Sequence, residues 1–493
     1  MAVSFNNIPS NIRVPLFYAE VDNSRAGYFQ QQNRTLIVGQ KLSGGSATAN
    51  VPVFCSSQDQ ARDLGGVGSM LERMVGAYRA NDPFGELWVL PLADNGAGVA
   101  ATGTVAITGP ATAAGTINLY IAGQRVQIAV ASGDTATDIG EAIEAAVNAD
   151  SNLPVTASDT TGTVTLTAKH KGLVSNDIQI AVNYRGALGG ELTPAGVGIT
   201  ITAMASGATN PTLTTAIANL GDETFDYVIH PYTDTTSLDA WEAYFNDTVG
   251  NWSYAKQLYG GAFSARRDTV GNLQTFGAAR NDQHHSTLGF NASPTPCYEV
   301  AAMYGAQCAK SLSIDPARPL QTLPLLGMLP PPIQSRFSLT ERNTLLFNGV
   351  ATTYVEGGVV RIERAVTSYR ENVWGQADPS YLDVETLFTL AYVLRRLRYA
   401  ITQKFPRHKL ANDGTRFGDG QAIVTPKIIR AELLASYAEL ETLGLVENRA
   451  AFEENLLVER DATDPNRVNV LYPPDLVNQL RIFAVLAQFR LQY

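Results

Sequence analysis

Charge is scarce in this chain. Asp, Glu, Lys and Arg make up 17% of its 493 residues, against about a quarter in an ordinary globular protein, so the surface must draw on Ser, Thr, Asn and Gly. Cations are scarcer still, with 36 Lys and Arg against 46 Asp and Glu, a formal net charge of −10 and a pI near 5.1. That balance excludes the dense basic footprint by which a protein neutralises nucleic-acid phosphates. Cys55, Cys297 and Cys308 are too few and too scattered to staple a fold, and their odd number fits buried thiols in a reducing compartment. Long apolar runs are missing too. The stretch Asn95 to Gln124 carries no charge, yet alternating Gly, Thr and Ala fill it and cannot make a spanning helix. The opening MAVSFNNIPSNIRVPLF lacks a basic region followed by an apolar run, so a soluble chain made inside a cell is expected.

What the chain does have is 45% apolar residues over a length that suggests roughly three domains. Pro9 and Pro15 interrupt the first two dozen residues, which read as an arm with an extended piece from Val14 to Val21. Leu36-Ile37-Val38, then Met70, Leu71, Met74, Val75 and Tyr78 at helical spacing, then Leu87-Trp88-Val89-Leu90 read as a βαβ unit. From about Asn95 to Ala205, Phe, Trp and Cys vanish and period-two runs such as Thr163 to Thr167 appear. This is an inserted β-rich domain at 95–205, interrupted by one amphipathic helix with Ile139, Ile143 and Val147 on one face. After Pro211 helix and strand alternate again: helix near Leu213 to Leu220, strand Tyr227 to Ile229, helix Leu238 to Phe245, strand Gln257 to Tyr259, helix Tyr298 to Ser311. The expected fold class is multidomain α/β, a wound sheet split in sequence into 26–94 and 206–355. A proline-rich connector over Asp315 to Ser335 leads to a hairpin about Glu356-Gly357-Gly358, a long helix from about Val384 to Gln403 and an α+β domain at 356–477. The last residues, Gln488 to Tyr493, alternate polar and apolar like a strand with one buried face. Such a strand either joins its own domain's sheet or is given to a neighbouring copy.

Little here reads as catalysis. Gly65-Gly66-Val67-Gly68 opens a helix, where free N–H groups can hold a phosphate, but it lacks the Lys-Ser/Thr of a nucleotide loop. His284 and His285 are adjacent and point to opposite faces of a strand, so they cannot share one metal ion. No G-x-S-x-G elbow exists; Asp226 and His230 are the residues an α/β hydrolase would need beside a Ser. No metal or cofactor is implied. One segment stands out: Arg395, Arg396, Arg398, Lys404, Arg407 and Lys409 fall in a stretch free of acids, a positive patch on an acidic chain. It is either a solvated helix face or a contact for an acidic partner.

Seven segments together resemble the tail sheath proteins of Mu-like contractile phages: Thr224 to Asp234 (TFDYVIHPYTD), Ala278 to Asp282 (AARND), Asp315 to Leu323 (DPARPLQTL), Glu341 to Leu346 (ERNTLL), Ile362 to Arg364 (IER), Asp378 to Asp383 (DPSYLD) and Lys404 to Leu410 (KFPRHKL). The resemblance implies a structural subunit, no enzyme and no cofactor, that polymerises with itself as stacked hexameric rings around a tail tube. It further implies a core called subtilisin-like for its shape alone, and partners at the baseplate and tail terminator, with no nucleic acid and no membrane insertion. The assembly site it implies is the host cytoplasm. Contraction of such a sheath drives the tube through the host envelope. Extended arms joining strands between copies are implied for Val14, Leu16, Tyr18 and Val21 at one end and for Phe489, Leu491 and Tyr493 at the other (478–493). A C-terminal domain facing the tube makes Arg395, Arg396, Arg398, Lys404, Arg407 and Lys409 candidate tube contacts. A hydrolase or a surface adhesin are the rival readings; neither explains the arms.

Overall fold

Leu36-Ile37-Val38 has no polar face to offer water, and in the computed structural model, which describes residues 33–491, it lies inside a six-stranded sheet. The strand order is His285–Phe290, Gly261–Arg267, Tyr227–Ile229, Arg34–Gln40, Glu86–Leu92, Val53–Phe54. All pair in parallel except the last, which runs antiparallel to its neighbour. Ile37 sits opposite Ile229 on one side and Val89 on the other. Such two-sided burial explains why these strands read as unbroken apolar runs.

Two helices pack side by side on one face of the sheet. Met70–Asn81 starts where the Ser69 hydroxyl accepts from the Glu72 N–H, and it buries Leu71, Met74, Val75 and Tyr78, the spacing expected from the sequence. Cys297–Ile314 is buried nearly all round and packs on that helix and on Gly261–Arg267. It comes this close because residue 305 is glycine: a Cβ there would collide with the Ile229 side chain. The expected strand at Gln257 to Tyr259 does not form. Gln257 is left-handed (φ 55) and the strand begins at Gly261, because Ser253, Asn251 and Gly250 tie the segment into a loop over Trp252. The helix near Leu213 is also short, Thr214–Ala218.

Residues 101–204 enclose a separate core. A four-stranded sheet (Gly198–Ala205, Ala100–Thr108, Thr163–Lys171, Val155–Thr160) and a three-stranded one (Gln124–Val130, Gly115–Ile121, Ile180–Val182) close over the helix Ala136–Ala149 through Ile139, Ile143 and Val147. Its ends meet at a bridge between Val99 and Ala208.

The hairpin Thr352–Glu356 with Val359–Arg364 turns at Gly357-Gly358, both at positive φ. Its Val360 and Ile362 pack into the central core. The helix Val384–Lys404 then joins two cores: Val384, Leu387 and Phe388 belong to the central one, whereas Val393, Leu397 and Ile401 pack with Leu433, Tyr437, Leu440 and Phe452 in a third. That third core holds the helices Pro426–Thr442 and Arg449–Asn455 and the hairpin Leu457–Arg460 with Val468–Leu471.

Candidate assembly surfaces

A wound sheet offers ligands the crevice at the carboxyl ends of its strands, where the winding reverses. Here the reversal lies between Arg34–Gln40 and Tyr227–Ile229, and the inserted unit fills it. The Gln40 side-chain amide donates to Asp94 (2.7 Å) and to the Lys171 carbonyl (2.7 Å), while Asp94 also faces His170 Nδ1 (3.0 Å). His170 Nε2 accepts the Met70 N–H (3.0 Å) that opens the helix. One strand further along, a recess of about 440 Å³ lies between the turn Leu173–Asp177 and the ends of the next strands. Its charges are spent internally: Arg267 on Asp177, Arg266 on Asp268 (3.1 Å), and Asp234 on capping the Ser237 N–H (3.1 Å). The usual active-site position is therefore a seam between two units.

The other chemistry-bearing residues are likewise satisfied by structure. Gly68 donates its N–H to Glu72 (2.6 Å), so the glycine-rich entry already holds its own carboxylate, and a Cβ at Gly68 would collide with the Ser151 carbonyl. His284 and His285 do face opposite ways. His284 lies 3.2 Å from Asp247 and 3.4 Å from Asp282, whereas His285 Nε2 meets His230 Nε2 at 3.1 Å with His230 stacked on Trp241. Burial holds His230 well below the ordinary histidine pKa and His285 at about 4, so this is a neutral pair. Asp226, the other hydrolase candidate, pairs with Arg395 and accepts the Arg34 N–H (2.8 Å). Burial also raises the pKa of Cys297 and Cys308, which keeps both as thiols.

The basic segment divides in two. Arg395 is drawn inward to Asp226 and to the Tyr259 carbonyl (2.8 Å), Arg396 binds Glu439, and Lys404 lies 2.6 Å from Glu432. Arg398, Arg407 and Lys409 are exposed, the last 3.2 Å from the Gln421 side chain. Val14, Leu16, Tyr18, Val21 and Tyr493 lie outside the described residues. Phe489 and Leu491 are described, and no ladder among the described residues receives them. They end a run that includes Ile482, Phe483, Val485 and Leu486, each at least two-thirds exposed. Among the described residues this segment joins no sheet of its own chain.

Two residues that sequence reasoning does not single out hold units together. Arg73, 8% exposed, donates to Glu299 (2.6 Å), to Gln124 (2.9 Å) and to the carbonyls of Asn152 and Ala122 (both 3.1 Å), bridging the central core and the insertion. Arg481 meets Asp383 at 3.1 Å and Glu385 at 2.9 Å. An arginine followed by an apolar alternation is the one local hint of the second; nothing local marks the first.

Comparison with known proteins identifies the family. The family model for the phage tail sheath protein central domain matches residues 206–368, and that for the phage tail sheath C-terminal domain matches 376–490. The Mu-like prophage FluMu tail sheath protein of Haemophilus influenzae is 48% identical over 492 residues, 99% of this chain and 100% of that protein. The chain belongs to the phage tail sheath protein family. It is a structural component of a contractile phage tail and not an enzyme. Among solved structures, the sheath tail protein of Desulfitobacterium hafniense aligns with TM-score 0.47 at 11% identity, over 94% of this sheath subunit and 100% of that chain. The PVC sheath complex of an extracellular contractile injection system, in its contracted state, gives TM-score 0.48 at 10% identity, over 98% and 99%.

Proposed function

We propose that this sheath subunit polymerises as stacked hexameric rings around a tail tube. The cylinder contracts by rigid-body rearrangement of its subunits and drives the tube through the host envelope during genome delivery. The wound core, subtilisin-like in shape alone, forms the moving block with the unit seamed onto it. Work comes from free energy stored in contacts between copies, which suits a fold whose carboxyl-edge crevice is closed. The subunit assembles in the host cytoplasm and meets baseplate and terminator proteins at the cylinder's ends. It needs no cofactor, binds no nucleic acid and does not insert into a membrane.

One observation carries this reading. From Ile482 to Leu491 the chain exposes Phe483 (82%), Leu486 (85%) and Phe489 (83%), and none of the described residues covers them. An extended segment of that kind is made to add to another copy as a strand, by backbone bonds that survive when whole subunits turn. Residues Val14, Leu16, Tyr18 and Val21 serve the same purpose at the other end. Facing the tube, Arg398, Arg407 and Lys409 supply a weak contact that releases on contraction, with Arg395, Arg396 and Lys404 behind them. Deleting Gln488 to Tyr493 is expected to leave a folded monomer that builds no long cylinders, with or without tube. Ordinary cylinders from that truncation in negative-stain images would remove the arm from the mechanism.

A further inference from the structure

Burial ends abruptly at one residue. The Arg481 side chain is 11% exposed, and the next two, Ile482 and Phe483, are 80% and 82% exposed. Arg481 reaches the first turn of Val384–Lys404, where Asp383 and Glu385 stand at the positive end of the helix. Its Nη2 is 3.1 Å from Asp383 and 2.9 Å from Glu385, a carboxylate with no exposure at all. The site is shared by the proline-rich connector: Glu385 accepts the Leu320 N–H (2.7 Å), and the Gln321 amide donates to the Leu480 carbonyl (3.3 Å). Arg364 grips Asp383 from the far side, at 2.8 and 2.9 Å. Two guanidiniums thus balance two carboxylates in a cluster that closes only when the C-terminal segment is in place.

The chain upstream is held separately. Val477 donates its N–H to the Leu445 carbonyl (3.2 Å), inside the third core's territory. Residues 478–481 therefore span from one domain to another, and the polar contacts that hold them there among the described residues are those of Arg481 and Gln321. We propose that Arg481 is a positioning residue, a clasp that fixes where the arm leaves the subunit and sets its reach. With the clasp shut the free chain begins at Ile482; with it open the arm starts at Asn478 and gains about 13 Å. The inference rests on the arm reading above and goes beyond it, because it assigns the arm two lengths. Neighbours that separate and turn can then stay joined without unfolding either domain.

The decisive variants are Arg481→Ala and the charge-neutral pair Arg481→Gln with Glu385→Gln, which removes the clasp without stranding a buried carboxylate. In the full-length soluble subunit, amide exchange over residues 478–484 is expected to rise at least tenfold in both, while residues 384–404 and 426–442 exchange as in the parent. Assembly is expected to need several-fold more protein, since the arm's departure point is no longer fixed. Unchanged exchange at 478–484, or assembly at the parent's concentration, overturns the clasp. Removing residues 482–493 separates the two ideas. If that truncation polymerises normally, the arm reading itself fails. If it is silent while the Arg481 variants assemble like the parent, only the clasp fails.

Discussion

His230 and His285 show what burying a titratable ring does to the pH range of the subunit. Both rings are buried and both titrate below an ordinary histidine, burial being the larger cause in each. The unfolded chain takes up those protons near pH 6.5 and the folded one does not, so stability is full above that value and falls as pH drops toward 4. For His285 alone, with its folded value at about 4, the loss is on the order of 3 kcal/mol. His284 works the other way. Burial lowers its pKa, but Asp247 and Asp282 outweigh that and raise it, so its contribution is present below about pH 6.5 and fades as pH rises through the raised value. Calorimetric melts are expected to fall from pH 6.5 to 4.5, and His285→Gln should flatten that slope; an unaltered slope would show that the pair does not titrate. Arg395 is a second such case. Arg395→Met leaves Asp226, 2% exposed, without its cation, and is expected to cost about 3 kcal/mol in urea titrations, the low end for a broken buried pair because the Arg34 N–H still serves the carboxylate. Sequence shows that His284 and His285 face apart, since strand alternation alone decides it. It does not show the His230 contact, which depends on Gly261–Arg267 lying between two strands, nor the Asp226 partner of Arg395 169 positions away.

At the scale of elements, legibility follows range. The helices Met70–Asn81 and Val384–Lys404, the Gly357-Gly358 hairpin and the alternating strands of the insertion are written in local periodicity and turn chemistry, and they form where those signals stand. The strand expected at Gln257 to Tyr259, which does not form, and the terminal alternation, whose partner is not written in it, share one cause: an extended apolar pattern states that a face wants cover and says nothing of what covers it. The basic segment is mixed in the same way. Composition marks it as a patch, yet Glu432 and Glu439 arrive from another helix, Pro426–Thr442, and take Lys404 and Arg396. Charge reversal at Arg398, Arg407 and Lys409 together should leave stability within about 0.5 kcal/mol per site, as for most surface changes. It should weaken tube-templated assembly more than tube-free polymerisation. Sedimentation of cylinders with and without tube checks this, and equal effects would assign the three residues to the lattice instead.

Taken whole, the molecule is a chain of cores joined by buried arginines, and that arrangement predicts which parts stand alone. The insertion carries a closed hydrophobic core of its own, and its two ends are bridged at Val99 and Ala208. Its ties to the rest are mainly polar, Arg73 to Ala122, Gln124 and Asn152, Arg267 to Asp177, Gln40 to Lys171 and Asp94 to His170, while Val174 packs into the central core. Polar seams align units without supplying the apolar burial that folds them. A fragment spanning residues 95–210 is therefore expected to fold by itself and melt cooperatively. The helix Ala136–Ala149 gives a local probe, because Thr135 and Asp138 form a capping box at its start. Thr135→Ala should lower the fragment's stability by about 1 kcal/mol and shift one transition of the full chain by the same amount, leaving the transition that reports the central sheet unmoved. A fragment without a cooperative melt would mean that the seams carry part of the fold, and the insertion would then be an integral layer of the sheath subunit.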